Sequence, residues 1–219
     1  MDSRSAAGTP SHAQWERAIQ VVSNMLDARG FDTVHEAEQV HSDDVHAGWW
    51  LSATHSGMDV DDAERGELRG TARQALGLHE CCVRFLPSTG CVGKSAVLKL
   101  LEEFGDRVSS KYADMPGSRM LVHSSRLSSD ANAIMREAQV QVFSVSEVQF
   151  DRLQLLNDQG ILKELSVAQA SDEDAGLRRW LTSDPMALYF CLQEDMVVHW
   201  TTGEERRRAI VVPEPPFNT

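Results

Sequence analysis

Apolar positions along this chain come in two rhythms, and each rhythm predicts a kind of element. Trp15, Ile19, Val22 and Leu26 recur at helical spacing, so residues 11–30 read as an amphipathic helix. Ser11 and Gln14 stand at the spacing of a capping box at its start, and Gly30 offers its end. Residues 81–86 form a continuous apolar run of strand length, and Val97, Leu100, Leu101 and Phe104 then mark one face of a second helix. Residues 119–124 read as a short strand, followed by a loop and a helix capped at Ser129 or Asp130 that runs to Ala138. Residues 140–145 alternate with period two and are expected to open a second unit. The first ten residues, small and polar, read as a disordered leader.

The densest signal lies at residues 183–212. Asp184 is placed to accept hydrogen bonds from the free N–H groups of a helix start, and Pro185 follows at the first helical position, where it has no N–H to lose. Ala187, Tyr189 and Phe190 continue a short apolar helix, which Gln193-Glu194-Asp195 interrupts. Residues 196–200 then read as a strand, 201–204 as a turn, and 206–212 as a second strand closed by Pro213. In that last strand Arg206 and Arg208 share one face and Arg207 lies opposite. The cassette contains no nucleophile, acid–base pair or metal cluster, which points to docking rather than chemistry. Just before it, Ser171 and Asp174 read as a box opening a helix through Leu177 and Trp180. Residues 152–165 supply an apolar segment without a clear period.

Residues 35–78 are acidic and carry weaker patterning. Trp49-Trp50-Leu51 reads as a buried strand or helix edge, and residues 63–76 as a helix that Gly66 and Gly70 weaken. The stretch His41 to His46 has metal-ligand residue types, but an isolated pair of histidines without further ligands reads as a solvated segment.

Composition narrows the class. The chain has 219 residues, 42% of them hydrophobic and 25% charged, enough to bury a core of one large or two small domains. A net charge of −12, spread evenly along the chain, argues against a general nucleic-acid binder. No apolar run reaches the length of a membrane span, and the N-terminus lacks the apolar segment of a signal peptide. Cys81, Cys82, Cys91 and Cys191 form no C-x-x-C pair, so reduced thiols in cytosol or nucleus are expected.

One motif invites an enzymatic reading. The run from Pro87 to Ser95 places Gly93-Lys94-Ser95 between a strand and a helix, close to a phosphate-binding loop. Ser88 stands where that motif needs its first glycine, no strand ends in a second-motif aspartate, and the D-x-x-G at Asp114 follows a polar stretch. A small P-loop nucleotide-binding protein is therefore the least favoured of the functions considered.

The pattern Asp184-Pro185-x-Ala187-x-Tyr189-Phe190, with its turn, valine-rich strand and arginine-bearing last strand, resembles the end of the fifth common subunit of eukaryotic nuclear RNA polymerases, a family with an archaeal counterpart. The likeness covers about residues 140–213 and extends weakly upstream, through Asp27-Ala28-Arg29-Gly30-Phe31 and through Phe85, Pro87, Val92-Gly93 and Lys99. The family usually has Gly at Ser183, Arg at Leu188, Gly at Cys191 and a basic turn at residues 193–195, so the chain resembles a divergent paralogue.

This resemblance implies a mixed α+β protein. It comprises an N-terminal α/β jaw-like domain at residues 11–138 and a small C-terminal α+β assembly domain at residues 139–219 with a short mixed sheet. It implies a nuclear, non-catalytic polymerase subunit with no cofactor, which docks on the largest subunit and places its jaw near downstream DNA. Its expected partner-binding residues are Asp184, Pro185, Tyr189, Phe190, Arg206, Arg207 and Arg208, with Trp200 a further core or interface anchor. Lys94, Lys99, Arg107 and Lys111 are the residues expected nearest the DNA backbone. A free-standing adaptor protein is the second reading.

Overall fold

The computed structural model describes residues 9–40, 47–55, 78–88, 90–152, 154–155, 164–171, 174, 176–202 and 205–213. The histidine-containing stretch 41–46, the helix expected at 63–76 and most of the leader lie outside these residues.

Helix α1 (His12–Ala28) begins as its sequence predicts. The Ser11 hydroxyl accepts from the Gln14 N–H at 3.3 Å, and the Ser11 N–H donates to the Gln14 side chain at 2.8 Å. Trp15, Ala18, Val21, Val22, Met25 and Leu26 are buried, while Ile19 lies half-buried at the margin of that face. Gly30 takes φ +95°, a left-handed turn open to glycine, and Phe31 folds back to donate to the Leu26 carbonyl.

The chain then builds a six-stranded sheet. Strands β1 (Thr33–Val34) and β2 (Glu38–Val40) pair antiparallel with the outer edge of β3 (Gly48–Thr54), so Trp49-Trp50-Leu51 is strand. Strand β4 (Glu80–Leu86) runs antiparallel to β3, with Leu51 opposite Val83. Strands β5 (Arg119–His123) and β6 (Gln141–Ser144) then follow in parallel, joined through helices α2 (Lys94–Gly105) and α3 (Ser129–Glu137). Helix α3 is capped by Ser128, whose hydroxyl accepts from the Ala131 N–H at 3.1 Å, one residue before the expected cap.

Both faces of this sheet are covered, which accounts for the unbroken apolar run in β4. Cys82, Leu86 and Leu121 face α2 and α3, where they pack on Val97, Leu100, Phe104, Ala131 and Met135. Cys81, Val83, Phe85, Met120 and Val122 face the other way, onto α1.

A second sheet has the order β7-β9-β10-β8. It comprises β7 (Glu164–Gln169), β8 (Arg178–Leu181), β9 (Met196–Thr202) and β10 (Glu205–Val212), with helix α4 (Pro185–Phe190) between β8 and β9. The molecule is thus of the mixed α+β class. Two expectations are corrected here. Residues 140–145, expected to open the second unit, hydrogen bond to β5 as the last strand of the first sheet. The helix expected through Leu177 and Trp180 is strand β8, because Arg178 to Leu181 pairs in parallel with Ala209 to Val212. The Ser171–Asp174 hydrogen bonds do form, at 3.0 and 2.8 Å, but they hold a turn ahead of that strand.

The two sheets share one apolar cluster. Trp15, Val21 and Met25 of α1 belong to it, and so do Ala187, Tyr189 and Phe190 of α4 with Val198 and Val211 of the second sheet. Arg29, at the end of α1 and 2% exposed, ties them together. It donates from Nε to the Tyr189 carbonyl at 2.8 Å and from Nη2 to the Leu188 carbonyl at 3.0 Å. An Arg29→Met variant keeps the apolar stem and strips both carbonyls of this donor. It is expected to lose about 3 kcal/mol of stability in urea unfolding, since a hydrogen bond from a charged donor contributes roughly 1.5–3 kcal/mol. An unchanged midpoint would show that the bridge is incidental.

Candidate docking surface

Helix α4 has six residues and starts as its first two predict. The Asp184 carboxylate accepts from the Met186 N–H at 2.8 Å, and Pro185 occupies the first turn. The helix ends at Cys191, which takes a left-handed φ of +56° while Leu192 donates to the Ala187 carbonyl at 2.8 Å. Close packing surrounds that cap. A Cβ placed on Gly117, itself at φ +84°, would lie 2.7 Å from the Cys191 sulfur.

Tyr189 and Phe190, expected as anchors, are 5% and 3% exposed and pack inside this chain. Their rings meet edge to face at 5.2 Å. The Tyr189 hydroxyl donates to Asp151 at 3.2 Å, and the other oxygen of Asp151 accepts from Asn24 of α1 at 2.8 Å. Burial pushes the Tyr189 phenol well above its ordinary pKa, and the Asp151 carboxylate adds to that rise. Large apolar side chains that face solvent around α4 include Leu181, Leu188 and Phe150, the last 71% exposed.

The basic groups lie on the second sheet. Arg206, Arg207 and Arg208 stand opposite Thr201, Trp200 and His199 of β9, all three exposed. Arg207 pairs with Glu205 at 2.9 Å and Arg208 with Asp174 at 3.5 Å. The Asp174 carboxyl is held below the ordinary aspartate range by the backbone N–H and the hydroxyl of Ser171, with Arg208 and His199 adding. Strand β8 adds Arg178 and Arg179, opposite Ala209 and Ile210. On the core-facing side Trp180 and Trp200 meet with ring centroids 5.0 Å apart. The strand between them presents Ala209, whose side chain is small enough to let the indoles touch across it.

The residues expected near DNA are divided. Lys99 and Arg107 line a cleft of about 500 Å³ together with Trp50, Arg84, Glu103 and Asp106. Arg84 is buried there and lies 5.0 Å from the Trp50 ring, as Arg107 does at 4.7 Å. Burial lowers the Arg84 pKa. Arg107 pairs with Glu38 at 3.0 Å and Arg84 approaches Glu103 at 4.0 Å, so carboxylates match the cations. Lys94 opens α2, and Lys111 lies 5.0 Å over Tyr112; neither lines this cleft.

In the segment from Pro87 to Gly93 three backbone donors among the described residues have acceptors within the chain. Ser88 donates to Leu86 and to the Ser124 hydroxyl, Gly90 to the Ser88 hydroxyl, and Val92 to the Arg126 carbonyl. A phosphate cradle needs successive N–H groups directed at one point. Compared with models of known protein families and with curated proteins, the chain matches none.

Arg178, Arg179 and the Trp180–Trp200 contact are absent from the sequence reading, because an Arg-Arg-Trp-Leu run has no strand periodicity of its own. Its strand character comes from a partner thirty residues downstream.

Two outcomes are expected. Gly117→Ala loses about 2 kcal/mol in chemical denaturation, as overpacking of a filled site does. In a Cys191→Gly background the contact part of that loss disappears while the strain of an Ala at φ +84° stays; equal losses in both would separate the two residues. Purified protein titrated with labelled ATP or GTP and Mg²⁺ shows no binding below millimolar concentration. Micromolar binding abolished by Lys94→Ala would restore the nucleotide reading.

Proposed function

We propose that this chain is a non-catalytic subunit of a nuclear DNA-dependent RNA polymerase, similar to the fifth common subunit. The C-terminal sheet with α4 docks on the largest subunit, and the six-stranded sheet serves as the jaw near downstream DNA. The reading assigns no catalytic residue and no cofactor.

The observation that carries it is the order and geometry of the C-terminal cassette. Asp184 and Pro185 start a short helix, a left-handed cap follows at Cys191, and a hairpin ends in a strand bearing three exposed arginines. Where the chain departs from the resemblance, at Cys191, the backbone still adopts the conformation that the family's glycine takes most easily. Because Tyr189 and Phe190 are internal, they act on a partner by holding α4 in place. The contact itself falls to Leu188 and the arginines.

The test is co-purification. Tagged protein isolated from nuclei is expected to bring down the two largest polymerase subunits in stoichiometric amounts. Reversing Arg206, Arg207 and Arg208 to Glu weakens that association while the circular dichroism spectrum stays unchanged. Wild-type protein that never co-purifies with polymerase, whatever the salt, would leave the free-standing adaptor instead.

A further inference from the structure

We infer that the corner formed by β8 and the start of β10 docks an acidic, extended segment of a partner polypeptide, which adds beside residues 205–208. The inference deepens the docking reading above and rests on it for the location of the surface, but it commits to the chemistry of the partner.

Charge is the first ground. Five arginines lie on two neighbouring strands of a chain whose net charge is −12. Arg207 and Arg208 have carboxylates, whereas Arg178, Arg179 and Arg206 make no ion pair among the described residues. Arg179, Arg206 and Arg208 share one face of the sheet, and Arg178 and Arg207 share the other. Unbalanced cations concentrated in an acidic molecule attract an anionic partner to that corner first.

The strand edge is the second ground. Strand β8 pairs with β10 only from Ala209 onward, because its own first residue is Arg178. Residues 205–208 pair with β9 alone, so their other side is an open edge among the described residues. Half of the backbone groups of such a stretch point away from its partner strand, and an extended peptide completes them in line with β8. A nucleic acid has no backbone to complete that ladder, and a long polyanion meets the repulsion of the whole acidic chain. The half-buried Trp180 and Trp200, flanked by Arg178 and Arg207, supply the aromatic and arginine composition of binding hot spots.

The experiment uses the full chain and a fluorescein-labelled peptide of ~12 residues alternating Glu and Val, whose carboxylates fall on one face of a strand. Fluorescence polarisation is expected to show binding that weakens by about tenfold from low to physiological salt. Reversal of Arg178, Arg179 and Arg206 to Glu weakens it by at least ~10-fold, and the Gln triple by a smaller factor. Neither triple breaks an ion pair among the described residues, so an unchanged melting curve certifies the fold. A peptide N-methylated at alternate backbone positions binds roughly tenfold more weakly, since it cannot complete the ladder. Equal binding by wild type and the reversed triple would sink the inference. So would displacement of the peptide by single-stranded DNA at lower concentration, which would make nucleic acid the occupant. Polymerase co-purification separates the two levels. Peptide binding without it overturns the assembly reading and keeps this site; co-purification without peptide binding does the reverse.

Discussion

The end of α1 supplies a buried polar link between the two sheets. Arg29 stands one residue beyond the helix, and its guanidinium reaches the carbonyls at the far end of α4. Those carbonyls belong to the last turn of a short helix, where backbone acceptors lack partners within the helix. A cation is the natural donor to that end, since the helix dipole places negative character there. Asn24 and Tyr189 clamp the same two helices through Asp151. With both links in place α4 has one orientation. The hairpin that follows inherits it, and the arginine-bearing corner is thereby held at a fixed angle to the first sheet.

Much of the local structure was legible because its signals are local. The Ser11–Gln14 box, the Asp184-Pro185 start and the apolar face of α2 depend on residues a few positions apart, and each forms where its spacing predicts. What failed was long-range. Arg178 to Leu181 is a strand only because β10 lies beside it, and residues 140–145 join the first sheet only because β5 offers an edge. The Ser171–Asp174 box shows the same limit from the other side, since its hydrogen bonds form while the helix expected through Trp180 gives way to strand β8. At the candidate docking surface the sequence named Arg206 to Arg208, and these lie exposed on β10. It named Tyr189 and Phe190 as core or partner-binding anchors, and the core absorbs both. Aromatic residues at helical spacing carry no mark that distinguishes an interface from an interior.

The distribution of charge follows a similar division. In the cleft beside α2, Arg84 and Arg107 meet carboxylates from α2 and β2. On β8 and β10, two of the five arginines have a carboxylate partner among the described residues. An exposed strand carrying charge also resists pairing with other sheets at random, so the same residues that favour an acidic partner discourage self-association.

The Arg29 bridge also bears on the birth of the protein. A ribosome at roughly 5–20 residues per second takes on the order of ten seconds to proceed from Arg29 to its acceptors at Leu188 and Tyr189. Throughout that interval α1 and the first sheet exist without the α4 side chains that complete their shared apolar cluster. Nascent chains of this protein therefore expose part of a core face until α4 has been synthesised, and truncated products stopped before α4 present that face to the quality-control machinery.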